Sequence, residues 1–277
     1  MVAILLAVLS TSGVNSLLLP SSPSGVTTSF SASQDAEAIF YNPANFEGGE
    51  NYRIWTSYNR FYLDMQSVSL AVVKRIKSIH LGIGFINFDY GDIELRPDYP
   101  TEDSVAYYSA NDFSIILGAS ANLSPEGRIG LNVKYISESI YMYSDYGIAF
   151  DLSFAYKTDK AGITLGAANF GSRITLRNQS VNLPARLSAG LSYRIKSVTT
   201  SADVHYLINN GVYEFGVGLD VPVHDMIIVS GGVNYRESPY PAFGLSIMPG
   251  ALIIKYGGSF YPKDLGMINS LGIGFEF

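Results

Sequence analysis

The chain has 277 residues, 47% of them hydrophobic and 15% charged, with a formal charge of −6 and no cysteine. No stretch gathers enough Lys and Arg to neutralise a run of phosphates, which excludes nucleic acid as a partner; the missing cysteines exclude a disulfide framework and thiolate metal sites. The 20 Tyr, 15 Phe and 27 Gly beside a single Trp favour strands and tight turns over helices.

At the N-terminus an apolar run, Val2 to Leu9, is followed by the small and polar residues Ser10, Thr11, Ser12, Gly13 and Ser16. Such a run is far short of the ~20 residues of a spanning helix, so residues 1–16 are expected to be a cleaved export signal, although no Lys or Arg precedes the run. Residues 17–50 follow as a segment ahead of the first strand. Within it, Asp35 to Ala44 reads as a short helix that Ser33 or Asp35 could cap. Pro43 biases Asn42 away from the α region and should end that helix. No later apolar run approaches the length of a spanning helix, so a membrane protein of this sequence must cross with strands.

From residue 51 to 277 the chain breaks into segments of about ten residues with period-two alternation. Fourteen strands are expected, near 51–58, 66–74, 78–89, 110–122, 128–138, 145–157, 160–171, 184–194, 197–208, 212–222, 226–236, 241–248, 251–261 and 268–277. The clearest places Ile148, Phe150, Leu152, Phe154 and Tyr156 on one face and Gly147, Ala149, Asp151, Ser153 and Ala155 on the other. Connections after the even strands are brief, as at Thr158 to Asp159, whereas those after strands 3 and 7, Tyr90 to Ser109 and Gly171 to Asn182, are long. This parity is that of an outer-membrane barrel, with periplasmic turns and external loops. A soluble sandwich has no reason to sort its loops so, and would turn a polar face outward. In the last strand Leu271, Ile273, Phe275 and Phe277 alternate with Gly272, Gly274 and Glu276, and Phe275 with Phe277 resembles the C-terminal signal read by outer-membrane assembly machinery.

Several motifs occur in a consistent order. Asp35, Ala38, Asn42, Pro43 and Ala44 lie before the first strand, and Ser109-Ala110-Asn111-Asp112-Phe113 opens the fourth. Gly130 to Ile136, Phe150-Asp151-Leu152, Asn169-Phe170-Gly171 and Leu183 to Leu191 follow. Together they resemble FadL-like barrels, in particular the PorV/PorQ type. The resemblance implies an all-β protein, a 14-stranded antiparallel transmembrane β-barrel with a short N-terminal helical hatch in the lumen. PorV-like members carry secreted cargo in type IX secretion, and FadL-like members admit long-chain fatty acids. The compact external loops of this chain depart from both.

The lumen of such a barrel is too wide for side chains alone to fill, since an eight-stranded barrel is already about full. The inner faces carry charges of both signs, Lys134, Asp151, Arg186, Asp203 and Glu214 with His205, which suits a polar plug more than a charge-selective filter. Ile39, Phe40 and Phe46 need cover and make the segment from Leu17 to Gly49 the expected plug.

Ser201, Asp203 and His205 share a face of strand 9, but steps of ~6.5 Å are too long for nucleophile and base to touch along one strand without a cross-strand partner such as Ser188. His80 and His224 stand apart, and Gly82/Gly84, Gly216/Gly218 and Gly272/Gly274 alternate within strands, so neither a metal nor a phosphate site is expected. Asp98, Glu102, Asp103 and Asp112 read as a solvated acidic loop. Tyr58, Tyr62, Tyr90, Tyr135, Tyr141, Tyr193, Tyr206, Tyr235 and Tyr261 read as an interfacial girdle. The expectation is a non-enzymatic outer-membrane protein without catalytic residues, cofactor or metal. Its partners would be membrane lipid, the assembly machinery, and secreted cargo or hydrophobic small molecules. A secretion or envelope component of PorV/PorQ type ranks first, a FadL-like conduit second and a barrel hydrolase third.

Overall fold

The structure, a computed structural model, describes residues 14–26, 29–32, 35–95, 106–261 and 265–277. The strands are β1 Tyr52–Arg60, β2 Gln66–Ile76, β3 Ile79–Leu95, β4 Ala106–Asn122, β5 Gly127–Ile140, β6 Tyr143–Lys157, β7 Ala161–Gly171, β8 Arg173–Leu176, β9 Gln179–Asn182, β10 Arg186–Ile195, β11 Val198–Leu207, β12 Val212–His224, β13 Ile227–Tyr235, β14 Pro239–Ile247, β15 Leu252–Tyr261 and β16 Gly266–Glu276. Fourteen of them close an antiparallel barrel in which sequence neighbours pair, β7 passes directly to β10, and β16 pairs with β1. Closure leaves no unpaired edge, which a strand structure in hydrocarbon requires.

The alternation read from sequence sorts the two faces. On β6, Ile148, Phe150, Leu152, Phe154 and Tyr156 are exposed, and Ala149, Asp151, Ser153 and Ala155 are buried. Leu117, Leu131, Leu165, Leu191, Val217 and Leu219 continue the exposed apolar surface around the barrel. One end, the turn end, carries the short links such as Lys77–Ser78 and Thr158–Lys160; the other, the loop end, carries the long ones.

Several expectations are corrected. The third and fourth strands extend well into the supposed long loop, and the second long connection contains the separate hairpin β8–β9. Ile174 of that hairpin is buried against Val14, Ile136, Ala149 and Leu183. The hatch is mostly irregular chain rather than a helix, with 3-10 turns at Asn15–Leu18, Pro23–Val26 and Ala36–Phe40 and one helical turn at Ser29–Ala32. Asp35 makes no capping bond; its φ of 64° turns the chain the other way, and its carboxylate is held by Arg53 instead. Ser33 lies outside the described residues.

The hatch runs through the lumen from the loop end at Val14 to the turn end at Glu50, where Arg75 meets it. Ile39 and Phe46 are fully buried against barrel residues including Trp55, Val73 and Ile116. Inward glycines make the space. A Cβ on Gly130 would lie 2.1 Å from the carbonyl carbon of Pro43, and one on Gly82 would lie 2.8 Å from Ile39 Cδ1. The second contact could yield by a side-chain shift; the first is backbone and could not.

Candidate functional site

The hatch motif is built around two turns. Asn42 is wholly buried, donates from Nδ2 to the carbonyl of Phe30 at 2.9 Å, and accepts from the Ala44 amide at 3.1 Å. Ala44 also donates to Ser153 Oγ at 2.8 Å, which ties the turn to β6. The preceding 3-10 turn already ends at Phe40, with Tyr41 as its cap, and Pro43 rests on Gly130. Ala38 supplies the carbonyl that accepts from the amides of Tyr41 and Asn42.

Ion pairs complete the docking. Glu37, fully buried, accepts from Ser22, from Ser24 at 2.6 Å and from Lys255, whose ammonium lies 5.3 Å from the Trp55 ring. Asp35 pairs with Arg53 at 3.2 Å, and Arg53 with Glu276 at 2.9 Å. Burial pushes the Asp35 carboxyl above its usual range, against the pull of Lys255 and Arg53. Glu47 pairs with Arg128 at 2.8 Å. Of these only the Asp35 position was legible in advance. Lys255, standing in the run Leu252-Ile253-Ile254, was the signal for a buried partner.

The luminal charges fall into three groups. Lys134 and Asp151 form a buried pair at 2.7 Å, joined by Asn132, which also donates to the Ile39 carbonyl, and by Asn169. Here β7 bulges against β6, and the Asn169 amide, at φ 60°, donates to Asp151. Asp203 receives the amides of Phe30 and Ser31 at 3.1 and 3.2 Å, so it anchors the hatch. Glu214 pairs with Arg236, which the sequence reading did not single out. Ser188 does meet His205 across the β10–β11 ladder, at 2.8 Å. Asp203, however, is engaged with the hatch amides, and the Phe30 ring packs edge-on to His205 at 5.9 Å. The three side chains are not assembled as a relay.

Of the other expectations, Asp112 is a buried luminal residue and not part of an exposed loop, because it shares the inward face of β4 with Ser114 and Ile116; Asp98, Glu102 and Asp103 lie outside the described residues. Tyr58, Tyr135, Tyr141, Tyr193 and Tyr235 are exposed as a girdle requires. Tyr90 instead donates to Asp112, and the rings of Tyr62 and Tyr240 both pack, tilted, against Tyr261 at the loop end. Phe275 and Phe277 are exposed, with rings 4.8 Å apart edge to face. His80 accepts the Gly48 amide at 2.9 Å.

The hatch leaves space on both sides. A turn-end cavity of about 350 Å³ lies beside Pro23, Asp35, Lys160 and Lys255. A narrower loop-end cavity of about 80 Å³ has two unlike walls. Leu17, Leu18, Leu19 and Phe40 of the hatch, with Ile86 and Ile116, make one; Arg186, His205, Glu214 and Arg236, from the far side of the barrel, make the other. Arg186 Nε is buried without a hydrogen-bond partner among the described residues.

No family model matches the chain, and no curated protein does. Solved structures do. The Ralstonia pickettii toluene transporter TbuX is 13% identical, with a TM-score of 0.73 over 95% of this chain and 100% of that one. The Pseudomonas putida toluene transporter TodX is 11% identical, with a TM-score of 0.74 over 93% and 98%. A FadL homologue from Pseudomonas aeruginosa is 10% identical, with a TM-score of 0.68 over 92% and 98%. In fold, this closed 14-stranded antiparallel barrel matches the FadL-like outer-membrane barrels.

Proposed function

We propose that the protein is a non-enzymatic conduit for small hydrophobic molecules in a bacterial outer membrane, with its loop end outward. The carrying observation is the loop-end cavity, whose apolar wall belongs largely to the hatch, so a molecule held there touches the element that closes the barrel. The apolar outer face and the likeness to toluene transporters support the same reading. The unfilled Arg186 donor favours molecules that end in an anionic or polar group. The PorV/PorQ-type secretion role has its support in the sequence motifs alone and is the second reading. Exposed Phe275 and Phe277 suit a C-terminal assembly signal, and Phe277→Ala should lower the amount of inserted barrel.

Uptake of labelled toluene and of a labelled long-chain fatty acid by cells producing the protein tests the proposal. Leu18→Trp, at a half-buried residue of the apolar wall, should block both by filling the cavity, and Arg186→Gln should slow the acid alone. Uptake equal to that of cells lacking the protein would refute it; secreted cargo co-purifying from envelopes would then favour the second reading.

A further inference from the structure

Among the described residues, two acidic side chains at the loop end of the lumen have no counter-ion. Asp112 and Glu138 face each other across the β4–β5 ladder and are 2% and 8% exposed. Asp112 Oδ2 accepts from Ser16 Oγ at 2.5 Å and from the Tyr90 hydroxyl at 2.7 Å. Glu138 Oε1 accepts the Val14 amide at 3.3 Å. Asp112 Oδ1 and Glu138 Oε2 are buried with no hydrogen-bond partner among the described residues. Glu37, Asp151 and Glu214 each have a Lys or Arg, but no ion pair among the described residues reaches Asp112 or Glu138. Two buried carboxylates side by side without a cation are costly.

Val14 is itself unusual. It is fully buried, and its φ of 51° and ψ of 49° are left-handed, a conformation that disfavours a β-branched residue. The torsion φ exists only because a carbonyl carbon precedes the nitrogen. If Val14 were the first residue, that constraint would vanish, and the single N–H donor would become an ammonium with three donors and a positive charge. The sequence provides the means. Thr11-Ser12-Gly13 follow the apolar run Val2 to Leu9 as small residues at the spacing of an export-signal cleavage site.

We infer that the export signal is cut between Gly13 and Val14, and that the new α-ammonium of Val14 is the counter-ion of Glu138 and Asp112. The cut is a hydrolysis by the export machinery's peptidase. Water adds across the peptide bond, oxygen goes to the Gly13 carbonyl to give a carboxylate, and the protons go to the Val14 nitrogen. Cleavage after Ser16, the boundary expected from sequence, would instead remove Ser16 from Asp112 and Val14 from its contacts with Ile136, Ile174 and Leu183. This inference rests on export alone and is independent of what the barrel conducts.

N-terminal sequencing and intact mass of the protein extracted from the cell envelope should give Val14 as the first residue. A chain beginning at Met1, Leu17 or any other residue overturns the cleavage site. The counter-ion is tested separately with an amine-selective acylating reagent near neutral pH. The α-amine of the folded protein should react slowly, that of the denatured chain readily, and Glu138→Gln should accelerate the folded reaction about tenfold, the change in free amine that one pKa unit produces. An α-amine labelled equally fast in folded wild type and folded Glu138→Gln protein would overturn the pairing.

Discussion

The two halves of the hatch are held by different physics. Toward the turn end the chain is fixed by charge pairs and backbone contacts: Glu37 with Lys255, Asp35 with Arg53, Glu47 with Arg128, and Pro43 against Gly130. Toward the loop end Leu17, Leu18 and Leu19 are only half-buried and border a cavity. Charge pairs in a closed lumen demand one geometry, whereas leucines against an apolar wall tolerate several. The difference makes the turn-end half an anchor and the stretch from Leu17 to Leu19, between that anchor and the buried Val14, the part a bound molecule can displace.

Breaking the anchor should have the largest effect. Lys255→Ala leaves Glu37 fully buried without its cation, a loss of the kind that costs about 3–5 kcal/mol. Open events in planar bilayers should then become at least ~100-fold more frequent, since 3 kcal/mol is about two decades in an equilibrium. The double variant Glu37→Gln with Lys255→Met, which removes both charges, should recover most of the closed state. If the single variant stays as closed as wild type, the anchor lies elsewhere.

Much of the barrel was legible because lipid and lumen impose opposite demands on successive residues, so Ile148 and Ala149 declare their faces in the sequence itself. The hatch was legible as something that must fill a wide lumen, with Ile39, Phe40 and Phe46 requiring cover. Its conformation was not, because partners distant in sequence decide it: Asp35 turns away from a cap because Arg53 is there. Asp112 was misread through loop composition, although its parity with Ser114 placed it inward. Glu37, Glu138 and Arg236 were missed because one charge gives no sign of its partner. The meeting of Ser188 with His205 was anticipated as a cross-strand possibility; that the hatch already occupies Asp203 could not be read from spacing.

A smaller effect sharpens the same contrast. Asp35→Asn removes a carboxylate whose burial raises its proton affinity, while Arg53 keeps Glu276 at 2.9 Å. Because the docked state holds that proton more tightly, wild-type docking should weaken as pH rises from the ordinary aspartate range through the raised value. The variant should lose that slope and remain closed at neutral pH. Protease accessibility of the hatch against pH, in detergent, reads this directly; identical profiles for wild type and variant would remove Asp35 from the anchor.

The central claim, that an anchored hatch closes a barrel otherwise wide enough to conduct, is tested most directly by single-channel recording of the intact protein beside a variant lacking residues 17–49. The intact protein should conduct little, and the deletion, inserted as a folded barrel, should open a larger pore. A large, steady conductance from the intact protein, or equal conductance from the two, would contradict it.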